Sequence, residues 1–245
     1  MNINSNGYVL GFAVGVCVVI SAALAVTANA LKPAQDAAAE FDRQKNVMIA
    51  CGLIQEGDPR PRKELEELFR KRVVEKVIDI RTGEVDQAKT PADLAAMRSP
   101  ADRARYRAVA VAKDEQGKED TFILPISGRG LWSTLYGYLA LEHDANRVRG
   151  ITFYKHGETP GLGGEVDNPN WKAQWRGKSI LDEKNQLVSV TVKKGKVDPA
   201  IAREKEHMVD GLSGATITCN GVNKFVRSDL EAFRPYLSRY WTKKD

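Results

Sequence analysis

Apolar positions run unbroken at the start of this chain and become periodic only later. From Tyr8 to Ala30 the residues are Gly, Ala, Val, Leu, Ile and Phe with a few small polar ones, and no charged side chain precedes Lys32. At about 1.5 Å per residue that stretch makes roughly 34 Å of helix, enough to cross a hydrocarbon core of about 30 Å. A cleaved signal peptide is the competing reading, because Ala28-Asn29-Ala30 matches a small-x-small cleavage pattern. The apolar run exceeds the usual signal core of about 7–15 residues and lacks a preceding Lys or Arg, which favours a retained transmembrane helix. The expected organisation is a short tail at 1–7, a transmembrane helix at 8–30, an Ala-rich charged linker or helical extension at 31–45, and one domain over 46–245.

Beyond the linker the hydrophobic period changes twice. Asp58-Pro59-Arg60-Pro61 offers an N-cap Asp with Pro in the first turn. Leu65, Leu68, Phe69, Val73, Val77 and Ile78 follow at helical spacing, which predicts one amphipathic helix. Alternation of the strand kind then appears in Thr121–Ile126, Val148–Tyr154 and Leu187–Val192, with Gly or Pro between the segments. Trp171 and Trp175 are four apart and share a face of a short helix, where structural anchoring is the expected role. Val222, Phe225, Val226 and Leu230 predict a helix from about Ile217 to Ala232. Strands and helices mix without a repeating βαβ period, so the expected class is α+β.

Composition narrows the function. A net charge of +5 is modest, and the Lys and Arg are interspersed with acids, as in Arg62-Lys63-Glu64. This is a solvated mixed surface with no basic patch, and nucleic acid is not an expected partner. Of the three Cys, Cys17 lies in the apolar segment, and Cys51 and Cys219 form no Cys-x-x-Cys or Cys/His cluster. No metal site is expected from this chain, and a Cys51–Cys219 disulfide is possible without being required. Lys32, Arg43 and Lys45 follow the apolar run and none precedes it, so the charge count leans towards a cytoplasmic domain.

Three stretches carry candidate chemistry. Asp210-Gly-Leu-Ser213-Gly214-Ala215-Thr216 places small residues ahead of a helical pattern, which suits either a helix cap or an anion bound by orphan N–H groups at a helix N-terminus. His156-Gly-Glu158-Thr159-Pro-Gly161-Leu162-Gly163-Gly164 is a Gly/Pro turn in its plainest reading. Functionally, Gly161 and Gly163 would let backbone approach a flat ring, Thr159 would hydrogen-bond it, and Leu162 would offer an apolar plate. Pro125–Tyr136 contains Gly-Arg-Gly without dinucleotide spacing. Its Trp132 suits either a core or a ring edge. Lys178, beyond the Trp pair, is a candidate charge partner for such a ring or a phosphate on it.

The run Asp210 to Thr216 resembles the Asp-x-x-Ser/Thr-Gly-Ala-Thr signature of proteins that carry FMN in a phosphoester bond. Glu158 to Gly163 is similar to the second flavin element of the same proteins, in the same order. With Gly128-Arg-Gly-Leu-Trp-Ser133 and the apolar N-terminal segment, the chain resembles the NqrC family of sodium-translocating NADH:quinone reductases along its whole length. The related RnfG component of Rnf electron-transport complexes shares the anchor and both flavin motifs. The resemblance implies FMN esterified to Thr216 by a flavin transferase that draws on FAD. It also implies a relay role in a complex of six subunits, between an NADH-oxidising FAD/iron–sulfur protein and a membrane flavin leading to ubiquinone. Finally, it implies a bacterial inner-membrane anchor with an extracytoplasmic domain, against the charge count. A non-redox assembly protein and a secreted soluble FMN-binding protein are the remaining alternatives.

Overall fold

The structure, a computed structural model, describes residues 6–241. It divides into two compact units, residues up to Arg43 and residues from Gln44 onward. Helix α1 (Asn6–Ala50) is continuous and is the one helix among the described residues long and apolar enough to cross a membrane. Its apolar side chains between Tyr8 and Leu31 are exposed, as a lipid-facing stretch requires. The expected extension at 31–45 is helical throughout. Of the tail expected at 1–7, residues 1–5 lie outside the described residues, and Asn6 and Gly7 already belong to α1.

The second unit continues with α2 (Arg62–Arg72), β1 (Val73–Asp79), β2 (Glu84–Val85), α3 (Pro91–Ala96), α4 (Pro100–Arg105), β3 (Tyr106–Lys113), β4 (Glu119–Arg129), β5 (Thr134–Glu142) and β6 (Val148–Lys155). A 3-10 turn (Gly163–Asp167), α5 (Pro169–Ala173), β7 (Thr191–Val192), α6 (Ala202–His207), β8 (Met208–Val209) and α7 (Thr216–Leu237) complete it. Six strands form one antiparallel sheet in the order β2-β1-β3-β4-β5-β6, and β7 and β8 pair in parallel. The architecture is α+β, as the sequence leads one to expect.

One sheet face carries Phe122, Leu124, Ile126, Leu135, Leu139, Ile151 and Phe153. These pack with Val222, Phe225, Val226 and Leu230 of α7 and with both Trp171 and Trp175. The indoles stand edge to face, centroids 5.6 Å apart, and Phe153 meets Phe225 at 6.4 Å. The anchoring role expected for the Trp pair is the one they have. Helix α7 lies directly on β4, because Gly221 lets the helix backbone touch the Arg129 carbonyl and Gly128 leaves room for the Phe225 ring. This contact fixes where the N-terminus of α7 emerges.

Three local expectations are corrected. The helix predicted to run through Ile78 ends at Arg72, and Val73, Val77 and Ile78 are strand residues. Their β-branched side chains prefer the pleated surface opposite β3, and the helical spacing continued by coincidence across the junction. Asp58 is no N-cap: its carboxylate accepts from the Arg60 N–H at 3.1 Å, while Pro61 occupies the cap position without a side-chain bond. Of Leu187–Val192, only Thr191–Val192 is a strand. All three cysteines are free.

Candidate functional site

Three chain segments are tied by one carboxylate. Gly130–Ser133 is the tight connection between β4 and β5, His156–Gly164 follows β6, and Asp210–Ala215 leads into α7. Glu158, 5 % exposed, belongs to the second segment and bonds to the first and to Thr218 in the first turn of α7. Its Oε1 accepts the N–H groups of Trp132 at 2.9 Å and Ser133 at 3.0 Å. Its Oε2 accepts the N–H of Leu131 at 3.2 Å and the hydroxyl of Thr218 at 2.6 Å. Burial pushes this carboxyl up, but the bonds from Thr218, Ser133, Trp132 and Leu131 outweigh it and hold the group below its ordinary 4.5. It is an ionised anchor inside a cradle of successive N–H groups.

The neighbouring loop is tied just as closely. Ser133 Oγ accepts the Gly157 N–H at 2.6 Å. His156 Nδ1 accepts the Glu158 N–H at 3.2 Å, which assigns the ring proton to Nε2, 2.7 Å from Asp167. Thr159 is exposed, and its carbonyl accepts the N–H groups of Leu162 and Gly164. Gly161 sits at φ +75° in the turn. Gly163 is buried, and a Cβ there would lie 2.6 Å from Thr218 Oγ1.

The acceptor segment is held from behind. Asp210 accepts the Val197 N–H at 2.7 Å and the Gln174 amide at 3.4 Å, and its carbonyl accepts the Trp171 indole N–H at 2.7 Å. Asp210 therefore braces the segment against α5 and the 195–197 turn. Gly214 takes φ +69°, and a side chain there would run into Leu162 Cδ2 at 2.7 Å. Ser213 and Gly214 are exposed, while Ala215 is buried at the cap position of α7 with no side-chain cap. Thr216 is the first helical residue and is exposed, and the first turn contains no acid.

A phosphate group fits this helix start, since the uncapped N–H groups and the dipole of a 22-residue helix favour an anion there. A flat apolar ring finds partners in side chains that are otherwise exposed, namely Leu131, Trp132 (65 % exposed), Leu162 and Ile217. The structure gathers Thr216, Ser213, Gly214, Ala215, Glu158, Leu162, Gly163 and Trp132 into one neighbourhood. Lys178 is tied to α6, with Asp210 of the acceptor segment among the charges acting on it. Burial lowers its ammonium below the usual range, and its Nζ donates to the Lys205 carbonyl at 2.6 Å beside α6. Sequence reasoning missed Thr218 and Ser133, whose hydroxyls complete the Glu158 cradle. A second threonine two residues after the first was the one available signal.

Comparison with known proteins agrees with this geometry. A model of the FMN-binding domain matches residues 130–231, which begin at the turn below Trp132 and include most of α7. The NqrC component of the Na(+)-translocating NADH-quinone reductase from Pseudomonas aeruginosa is 43 % identical over 229 residues, 86 % of each chain. Its counterpart from Haemophilus ducreyi is 38 % identical over 243 residues, covering 92 % of this chain and 89 % of that one. Among solved structures, NqrC of Shewanella oneidensis superposes with a TM-score of 0.70 at 31 % identity, covering 83 % of this chain and 98 % of that one. With that extent of identity, an FMN-binding domain at the site and one apolar helix ahead of it, the chain belongs to the NqrC family of Na(+)-translocating NADH-quinone reductases.

Proposed function

We propose that this chain is the FMN-carrying electron-transfer subunit of a Na(+)-translocating NADH:quinone reductase, with FMN esterified to Thr216. The observation that carries the reading is an exposed threonine at the uncapped start of α7, inside the region matched by the FMN-binding domain. Bound FMN supplies one- and two-electron redox chemistry, and the protein supplies position and electrostatics. Thr216 would hold the phosphate, with the first-turn N–H groups of α7 facing it. Leu131, Trp132, Leu162 and Ile217 would shield the ring, while Ser213, Gly214 and Ala215 keep the approach to Thr216 low and open. Asp210 and Glu158 position these segments. Thr159, Gly161 and Gly163 belong to the same loop, and Lys178 is left out of the site. A tether keeps the cofactor in place while its ring stays open to successive partners.

The remaining parts of the reading concern the surroundings. Helix α1 would anchor the chain in the bacterial inner membrane at residues 8–30, with residues 46–245 as the FMN domain on the extracytoplasmic side. The partners would be the other members of a complex of six subunits and, during maturation, a flavin transferase. Electrons would arrive from an NADH-oxidising FAD/iron–sulfur protein and leave towards a membrane flavin and ubiquinone. An RnfG role in an Rnf complex is not favoured, because the similar proteins described above are NqrC. Intact mass tests the proposal. The chain coexpressed with the transferase should gain one FMN phosphoester, carry yellow fluorescence through a denaturing gel, and lose both in Thr216→Val. An unmodified wild-type chain matured in this way would refute it.

A further inference from the structure

We propose that Glu158 and Thr218 form a latch that turns Thr216 outward as the flavin acceptor and withholds Thr218 from modification. This rests on the covalent reading above. Thr216 and Thr218 are two residues apart in the first turn of one helix, so they point about 200° apart around its axis. Thr218 is 1 % exposed and Thr216 is exposed. Fixing one side chain inward therefore aims the other at solvent. What fixes Thr218 is its 2.6 Å hydrogen bond to Glu158 Oε2.

The carboxylate is fully engaged. An ionised carboxylate offers roughly four acceptor directions. Three backbone N–H groups and the Thr218 hydroxyl take them up, with the Ser133 hydroxyl at 3.5 Å from Oε1 besides. No Lys or Arg pairs with Glu158 among the described residues, so its charge is balanced by these donors and by the N-terminus of α7. Because the anion accepts only, Thr218 is the donor, and its proton is held between the two oxygens. Glu158 has no acceptor direction left for the Thr216 hydroxyl. It is a positioning residue and not the base of the transfer.

The transfer then balances as follows. Thr216 Oγ1 forms a bond to the flavin-side phosphorus of FAD, the pyrophosphate P–O bond breaks, and AMP leaves with the electron pair. The Thr216 proton passes to a base of the transferase. Thr218 is barred from the same reaction by burial and by its occupied proton.

The test uses the full-length chain in detergent, a purified flavin transferase and FAD. Mass gain is followed in time, the modified peptide is located, and the thermal midpoint is measured for each variant. Wild type should gain one FMN on Thr216; if it gains none, the covalent reading itself fails. Given that gain, Thr218→Val, which keeps shape and deletes the donor, should be modified at least about tenfold more slowly at temperatures where it is folded. Thr218→Ser should restore the wild-type rate, and Thr216→Ala should acquire no FMN on Thr218. Glu158→Gln, with one acceptor oxygen in place of two, should be slowed as Thr218→Val is. The latch is overturned by a wild-type rate in folded Thr218→Val, by Thr218→Ser no faster than Thr218→Val, or by FMN on Thr218 in Thr216→Ala. Should Thr218→Val fail to fold, the Thr218→Ser and Thr216→Ala results decide.

Discussion

Two glycines in one loop should respond to alanine with opposite signs. Gly157 and Gly163 lie six residues apart on either side of Thr159, and neither has a positive φ. A Cβ on Gly163 would stand 2.6 Å from Thr218 Oγ1, 2.8 Å from Glu158 Oε2 and 3.2 Å from Glu158 Cβ. Relief requires both partners of the latch, or the loop backbone, to give way, and overpacking of this kind costs about 1–3 kcal/mol. Loosening a hydrogen bond to a buried charged group adds about 1.5–3 kcal/mol if the bond is lost. Against this, alanine reduces unfolded-chain entropy and gains about 0.4–1 kcal/mol. The net for Gly163→Ala is a loss of about 2 kcal/mol. At Gly157 the nearest atom to a new Cβ is Ser133 Cβ at 3.4 Å, an ordinary contact, so only the entropic gain remains. Gly157→Ala should be neutral to about 1 kcal/mol more stable. Urea unfolding of the flavin-free chain, read by Trp fluorescence, measures both, because all four Trp lie beyond residue 130. If Gly163 mattered only for approach to a flavin ring, the flavin-free protein would not register the change. Equal stability of Gly163→Ala and wild type would therefore refute the packing argument.

Three further outcomes follow from the same contacts. Trp171→Phe removes the indole donor to the Asp210 carbonyl and part of a packed face, and should lower stability by about 1–3 kcal/mol in the same urea assay. Glu158 is held below its ordinary 4.5, so the unfolded chain takes up that proton first as pH falls. Its contribution is complete above pH 4.5 and is lost below it, so the stability gap between wild type and Glu158→Gln should close on acidification through that range, as urea midpoints will register. Burial pushes the Cys51 thiol up to about 11 and raises that of Cys219 as well. Iodoacetamide at about pH 8 should leave both unlabelled in the native chain and label both in denaturant, as peptide mapping will report.

Legibility in the sequence depended on how many faces of an element are buried. Helix α7 was readable because Val222, Phe225, Val226 and Leu230 make one apolar stripe against polar neighbours. Strand β3 was not: Val109 and Val111 face one side while Ala110 and Ala112 are buried on the other, which erases the alternation. Strand β5 hid in the same way, with Leu139, Ala140 and Leu141 all buried in succession. The junction of α2 and β1 failed differently, because two periods happened to agree across Arg72 and Val73. At the site, the acceptor run was legible since local residue types define it. The Glu158–Thr218 contact spans 60 residues. A buried carboxylate whose partners are mostly backbone N–H groups leaves no pattern in side-chain types, so Glu158 read as a cofactor contact.

The start of α7 is built with a deficiency on one side only. An alanine at the cap position forgoes about 1 kcal/mol that Ser, Thr, Asp or Asn would supply there, and no acid occupies the first turn. Yet the inner side of the same turn is secured by a full negative charge, through Thr218 and Glu158. A capping side chain at residue 215 would satisfy the outer N–H groups and, on the proposed reading, crowd the hydroxyl that the transferase would have to reach. Leaving those groups open is therefore coherent with an anion arriving later, whose oxygens would replace the missing cap. The internal carboxylate sets a limit to this, since two anions at one helix terminus repel. The donors around Glu158 disperse that repulsion, and its burial keeps its charge away from the exposed face. On the proposed reading, this division between a saturated inner face and an unsaturated outer one would make Thr216, among the hydroxyls of this segment, the place where a phosphate is stabilised rather than merely admitted.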